Sequence, residues 1–558
     1  MNKPWLDSYP AGVPAEIDLD KYSSILDIFE QSCTKYRDQT AYINFDTKLS
    51  YGELEQHTNQ FAAWLQAQGL SKGDRIAVMM PNILQYPVVV FGALRAGLVV
   101  VNTNPMYTAR ELKHQLVDSG ARAIVVVENF AHVVQEVSSD APLEIIITTK
   151  IGDMISFPRG ALMNFALKYV KKAIPEWSLP GSISLKQALK QGTGQAFQKP
   201  ELGFEDLAFL QYTGGTTGVA KGAMLTHKNM VANMLQAQTW MSASGIGTGT
   251  EIIVTALPLY HIFALTACCL VYTALGGVNL LITNPRDMEG FVKELSKVPF
   301  TVLPGVNTLF NGLLNTPGFA ELDFSTLKGA LGGGMAVQRA VAEQWKEVTG
   351  KALVEAYGLT ETSPAACINP MDIQEYNGSI GLPISSTECA IMNDEGDLLP
   401  QGEVGELVVR GPQVMKGYWQ KPEETAKVIM PDGWLRTGDI ALMDERGFFK
   451  IVDRKKDMIL VSGFNVFPNE IEDVLAMHPK ILEVAAIGIP DPRSSEAVKV
   501  FVVKADPSLT EEELRAYCAE QLTGYKRPRH IEFRDELPKS NVGKILRREL
   551  RDAELKEG

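Results

Sequence analysis

The chain has 558 residues, too many for one core, so two to four domains are expected. Its 45% apolar and 21% charged residues are ordinary for a globular protein. A net charge of −13 argues against a general nucleic-acid binder. The six cysteines form no C-x-x-C pair, and the seven histidines show no metal-ligand spacing, so neither a disulfide frame nor a zinc site is expected. The first residues lack the apolar core of a signal peptide.

Taken in order, the chain alternates strand and helix. A helix is predicted over 24–37, then a strand over 41–45. Ser50-Tyr51-Gly52-Glu53 has capping-box spacing and opens a helix to Gln66. A strand over 75–80, a helix over 85–96, a strand at 99–101, a helix capped by Thr108 and a strand over 123–127 follow. This alternation predicts a parallel sheet covered on both faces. It resumes with strands at 207–212, 252–256 and 278–282, which suggests a second, related sheet. Ile262 to Thr283 carries no formal charge over 22 residues, long enough to span a membrane. Gly276-Gly277 interrupts it, so a buried helix, a turn and a buried strand are the better reading.

Between Arg159 and Trp177, Leu162, Phe165, Ala166, Tyr169 and Ala173 share one helical face, with Lys168, Lys171 and Lys172 on the other. Two readings stand: a surface helix packed on the core, or a peripheral contact with a membrane through 159–177. After about Thr387 the pattern turns antiparallel, with strands at 405–410, 440–443 and 448–452 and a hairpin turn at Asp444–Gly447. Asp453–Asp457, five charges in a row, reads as a solvated domain boundary. The last hundred or so residues read as a small α/β piece.

The stretch with the clearest chemistry is Tyr212–Gly222. It holds four glycines, three threonines and Lys221 in eleven residues, an arrangement suited to cradling phosphates. It is not a Walker A loop, because Ala220 precedes Lys221 and Gly222 follows it. Tyr357–Thr362 offers an aromatic ring and, in Glu361, a carboxylate suited to Mg²⁺. Asp439 stands where a carboxylate could accept two ribose hydroxyls. Arg454 reads either as a ligand for ribose or phosphate or as a solvated linker charge. Lys544 reads as lying at the start of the C-terminal helix.

These stretches, with Pro258–Phe263, Gly332–Met335, Gly433–Asp439 and Lys450–Pro468, resemble the adenylate-forming (AMP-binding) superfamily, and more narrowly bacterial long-chain fatty acyl-CoA synthetases. The resemblance implies ligation of a fatty acid to CoA through an acyl-adenylate, with ATP and CoA as co-substrates and Mg²⁺ as cofactor. It implies an α/β fold with a large N-terminal domain over 1–453, built of two layered sheets and a small β-barrel-like subdomain at about 387–453. A mobile α+β lid over 454–558 would follow, hinged at about 453–458. By the same match Thr213, Gly214, Gly215, Thr216, Thr217, Gly218 and Lys221 would hold the β- and γ-phosphates. Thr360 and Glu361 would hold the α-phosphate and Mg²⁺. Gly333, Gly334 and Tyr357 would frame the adenine, Asp439 the ribose, and Arg454 ribose or phosphate. Lys544 would bridge the acyl carboxylate and the α-phosphate. His261 would lie near the acyl carboxylate, and Ser462, Gly463 and Phe464 on the CoA side. An acyl tunnel is expected from 302–313 and 332–335. A cytoplasmic enzyme is expected, with membrane contact, if any, at the inner face of the cell membrane. Relatives are often homodimers. Two alternatives stay open: a ligase for medium-chain or aromatic acids, and a non-catalytic nucleotide-binding adaptor.

Overall fold

The structure, a computed structural model, describes residues 3–213, 220–247 and 250–557. Two large sheets dominate the N-terminal part. The first has seven strands, in the order Ile183–Ser184, Ile145–Thr149, Ala123–Val127, Arg75–Met79, Val99–Thr103, Leu207–Thr213 and Lys221–Thr226. All its pairings are parallel except the last, where Leu207–Thr213 and Lys221–Thr226 form an antiparallel hairpin. Strands such as Ala123–Val127 are buried along their whole length, as expected for a parallel sheet covered on both faces.

The second sheet has nine strands: Leu382–Pro383, Ala365–Ile368, Leu353–Gly358, Gly329–Gly332, Val302–Gly305, Ile252–Thr255, Val278–Leu281, Thr40–Asn44 and Thr47–Ser50. Thr40–Asn44 therefore does not join the strands that follow it in sequence. It lies parallel to Val278–Leu281 and covers what would otherwise be an open edge. The capping box read at Ser50–Glu53 forms, with Ser50 Oγ accepting from Glu53 N, and Thr108, read as a helix cap, accepts from Glu111 N. The uncharged run over 262–283 is a buried helical stretch, a left-handed Gly276 and the strand Val278–Leu281. Among the described residues no helix is long and apolar enough to cross a membrane.

A four-stranded antiparallel sheet follows, in the order Glu388–Met392, Gly405–Arg410, Leu435–Met443 and Phe449–Arg454. The smaller C-terminal domain has a five-stranded sheet (Phe464–Val466, Ile459–Val461, Ser495–Lys504, Ile481–Asp491, with His530–Arg534 beside Ser495–Lys504). Its core is its own, built on Ile459, Val466, Ile471, Leu475, Val484, Val498, Val500 and Leu514.

The charge run at 453–457 is only partly solvated: Lys455 and Lys456 are exposed in a turn, but the aspartates are not. Asp453 is fully buried, accepts from the Arg454 and Asn469 backbone N–H groups at 2.7 and 2.8 Å, and lies 3.3 Å from Arg547. Asp457 pairs with Arg551 at 2.6 Å. Burial pushes the Asp453 carboxyl up to about 6 even though Arg547 favours its charged form. Despite its own burial, Arg547 is held firmly charged by Glu472, Asp453 and Asp457. The run is thus an ion-paired seam between the strand Phe449–Arg454 and the C-terminal domain.

The segment at 159–177 is a short α-helix, Arg159–Phe165, continued by a π-helical turn, Ala166–Val170. It ends before Ala173, and its large apolar side chains do not pack on the core. Leu162, Phe165, Tyr169 and Val170 are 58–70% exposed, and neighbouring Phe157 is 89% exposed.

Candidate active site

The C-terminal edges of the parallel strands, the antiparallel sheet and the C-terminal domain enclose one cavity of about 2040 Å³. That exceeds the usual volume of a single small-molecule pocket. Thr213, Lys221, His261, Gly333, Gly334, Tyr357, Thr360, Glu361, Asp439, Arg454 and Lys544 all line it. Gly214, Gly215, Thr216, Thr217 and Gly218 lie outside the described residues. Thr213 and Lys221 pair across the hairpin. Ser462, Gly463 and Phe464 are not among the lining residues. Ser462 and Gly463, with φ of 52° and 84°, form the tight turn between Ile459–Val461 and Phe464–Val466. Phe464 is exposed and stacks on Tyr525, with ring centroids 4.7 Å apart.

Asp439 is 4% exposed and sits opposite Arg454 in the antiparallel pair. The Tyr357 hydroxyl donates to its carboxylate at 2.6 Å, and Arg454 Nε lies 3.4 Å away. Burial, then the Asp439 charge, pushes the Tyr357 phenol well above its usual range, so it stays a donor. At Gly333 an added Cβ would lie 3.0 Å from Phe263 and 3.2 Å from the Ala356 carbonyl, and Gly334 has φ +77°. Only glycines let the backbone run this close to the cavity.

Lys544 does not begin the C-terminal helix. It stands three residues before Arg547–Glu557, in a turn where its N–H donates to Ser540 Oγ at 3.1 Å. Thr308 Oγ1 donates to Gly543 O at 2.7 Å, which seats that turn against the large domain. Burial pushes the Lys544 ammonium down to about 7. Arg454 and Arg547 push the same way, while Asp439 and Asp457 oppose them. A lysine so placed is ready to be recharged by an anion. Burial, and then Lys544, lower His261 to about 4, so its ring is neutral; its Nδ1 accepts from Phe263 N at the start of a helix.

Four residues carry weight here that the sequence did not single out. Glu355 lies two positions before Tyr357 on the same strand, accepts from Val337 N at 2.9 Å and is raised to about 8 by burial. Tyr418 donates to Glu361 at 2.6 Å, Glu424 pairs with Lys221 at 2.9 Å, and Arg547 anchors the seam. The period-two pattern, which puts residues 355 and 357 on one face, could have found the first. The cavity also extends along an apolar wall of Ala237, Trp240, Met241, Ile253, Val302 and Leu331. Val302, Pro304, Val306, Gly333, Gly334 and Met335 line the cavity, residues 307 to 313 do not, and the helix His227–Ala243 contributes Asn233, Ala237, Trp240 and Met241.

The AMP-binding enzyme family model matches residues 29–419, and the AMP-binding enzyme C-terminal domain model matches 470–544. The chain belongs to the AMP-binding enzyme family. Among its relatives in that family, a long-chain-fatty-acid–CoA ligase of Escherichia coli O6:H1 is 59% identical over 99% of this chain and 98% of the relative. One of Yersinia pestis is 58% identical over 100% and 99%. Among AMP-binding structures, the anthranilate CoA ligase AuaEII in complex with anthranoyl-AMP superposes with a TM-score of 0.84 at 26% identity, covering 96% of this chain and 98% of that one.

Proposed function

We propose that this enzyme joins a long-chain fatty acid to coenzyme A through an acyl-adenylate, consuming ATP and releasing AMP and pyrophosphate. The observation that carries this reading is the burial of Lys544, from the C-terminal domain, in the cavity that holds Glu361 and Asp439. A carboxylate is a poor acyl donor because it lacks a good leaving group, and adenylation supplies one. The acid and the α-phosphate are both anions, so the attack needs a cation between them. Lys544 supplies it: depressed to about 7 by burial, it would take up a proton as the two anions arrive.

Thr213, Lys221 and the glycine-rich loop would hold the β- and γ-phosphates. Gly333, Gly334 and Tyr357 would frame the adenine, and Asp439 the ribose, with Arg454 beside it. Thr360 would hold the α-phosphate. Glu361 suits Mg²⁺, which takes few protein ligands alongside phosphate oxygens. It lines the cavity, and no cluster of three metal-ligating side chains occurs among the described residues. Bound there, Mg²⁺ would neutralise phosphate oxygens. The apolar wall from Ala237 to Leu331 would take the acyl chain, with His261 near its carboxylate.

Lys544 and Ser462–Phe464 belong to the same domain, yet only Lys544 faces the cavity. This favours a lid over 454–558 that turns about 453–458, so that Ser462, Gly463 and Phe464 reach the site for thioester formation. The exposed apolar side chains at 157–170, beside Lys168, Lys171 and Lys172, favour peripheral contact with the inner face of the cell membrane. The test of the reaction is CoA-dependent AMP release across an acid series from acetate through aromatic acids to oleate. Oleate should give the highest kcat/KM; an optimum at an aromatic or short acid would overturn the long-chain assignment.

A further inference from the structure

A cation placed to grip a polyanion must be neutralised somehow when the polyanion is absent. Lys221 meets Glu424, on the short helix Pro422–Val428, with Nζ 2.9 Å from Oε2. The same ammonium lies 4.5 Å from the centre of the Tyr418 ring. Tyr418 in turn donates its hydroxyl to Glu361 Oε1 at 2.6 Å. One segment, 418–424, therefore engages both the lysine and the carboxylate assigned to the phosphate end of the site.

The segment is held in register with the hairpin that carries the glycine-rich loop. Trp419 N donates to Gly222 O at 2.8 Å, Met224 N to Gly417 O at 2.9 Å, and Lys416 N to Met224 O at 3.0 Å. Glu424 thus meets Lys221 at a fixed distance, and the pair is only 25% and 35% exposed. The other oxygen of Glu424 is bound by Lys427, one turn on in the same helix. If Lys221 leaves, Glu424 keeps a cation. Lys427 and then Lys221 hold its carboxyl down at about 2, so it is ionised throughout the working range.

We infer that Glu424 is a positioning residue whose ion pair with Lys221 the phosphate chain must displace, and which reclaims the lysine as pyrophosphate leaves. This rests on the reading of Lys221 as a pyrophosphate ligand. Glu424 competes with the incoming phosphates, so it weakens ATP binding and hastens release of the first product. Lys427 makes the exchange reversible, because it shares Glu424 before and after.

Calorimetric titration of the full-length protein with inorganic pyrophosphate, an α,β-methylene ATP analogue and AMP tests this. Glu424→Gln should tighten pyrophosphate and the analogue roughly fivefold and leave AMP unchanged, since AMP lacks the phosphates at issue. Glu424→Asp should fall between. Lys427→Gln should act in the opposite direction, because it leaves Glu424 to Lys221 alone. In a Lys221→Gln background, Glu424→Gln should have no effect. An ion pair that merely ties the helix to the hairpin predicts lower stability with pyrophosphate affinity unchanged or weakened in Glu424→Gln; that result overturns the inference. Unchanged pyrophosphate affinity in Lys221→Gln overturns the assignment of Lys221 itself, and the exchange with it.

Discussion

Lys544 joins the two domains in a single side chain. Lys544→Ala should reduce acid-dependent ATP–pyrophosphate exchange on the order of 100- to 1,000-fold, with little effect on thioester formation from supplied acyl-AMP. Equal loss of both steps would remove Lys544 from the adenylation chemistry. A second prediction concerns protons. The ordinary lysine value is 10.5, and burial in the folded protein lowers it to about 7. Between those values the unfolded chain binds more protons than the folded one, so stability rises with pH across that window. At and below pH 7 the cost of burying the charge is present in full. Lys544→Met should therefore raise the melting temperature of the ligand-free protein more at pH 7 than at pH 10. Wild-type protein should also take up a proton when it binds ATP at pH 8, and the variant should not; calorimetry in buffers of different ionisation enthalpy reads this directly. The sequence singled out Lys544, Asp439 and Glu361, which the fold brings to one cavity, because each sits in a recognisable local stretch. It hid Glu424 and Glu355, which read as an ordinary helix-start acid and a mid-strand acid until packing brings Lys221 and Val337 to them.

At the level of elements, the segment 157–170 makes the sharpest claim. A helical wheel drawn at 3.6 residues per turn assumes one continuous α-helix, but the π-helical turn at Ala166–Val170 breaks that register. The break is a property of the folded backbone, and no pattern of side chains announces it. Phe165 and Tyr169 still stack, with centroids 5.0 Å apart, and Lys168 lies 5.7 Å from the Tyr169 ring. Each lysine near an anionic surface contributes about 1 kcal/mol. Replacing Lys168, Lys171 and Lys172 together by Gln should thus lower partitioning onto anionic vesicles roughly 100-fold, measured by co-sedimentation. Phe165→Ser with Tyr169→Ser should lower it on neutral vesicles as well. Unchanged binding in both variants would leave the exposed apolar side chains without a membrane role. Capping boxes, by contrast, were fully legible, because Ser50–Glu53 and Thr108–Glu111 are satisfied within four residues.

At the scale of the whole molecule, further hydrogen bonds beyond the seam at Asp453 tie the C-terminal domain to the rest of the chain. Thr308 bonds Gly543, Asn311 donates to Leu482 O at 3.0 Å, and the Arg339 N–H faces Asp473 at 3.4 Å. Turning the lid must break all three. Asn311→Cys and Leu482→Cys, joined by a short bismaleimide, should keep ATP–pyrophosphate exchange and lose most thioester formation, with both returning when the linker is left out. Full thioester formation in the joined protein would rule out the rotation. The membership of Thr40–Asn44 in the nine-stranded sheet was illegible, since a strand's own pattern names its faces and not its neighbour. Its consequence lies in time. This strand leaves the ribosome long before its partner Val278–Leu281, and at ordinary synthesis rates the wait is on the order of tens of seconds. Throughout that interval Thr40–Asn44 has only its hairpin partner Thr47–Ser50, and its other edge is unsatisfied. A chain stopped near residue 250 leaves Thr40–Asn44 paired only with Thr47–Ser50, and should aggregate more than the full-length chain. All seven strands of the first sheet are made by residue 226, whereas the nine-stranded sheet, which joins Thr40–Asn44 to strands as late as Leu382–Pro383, has to wait for most of the chain.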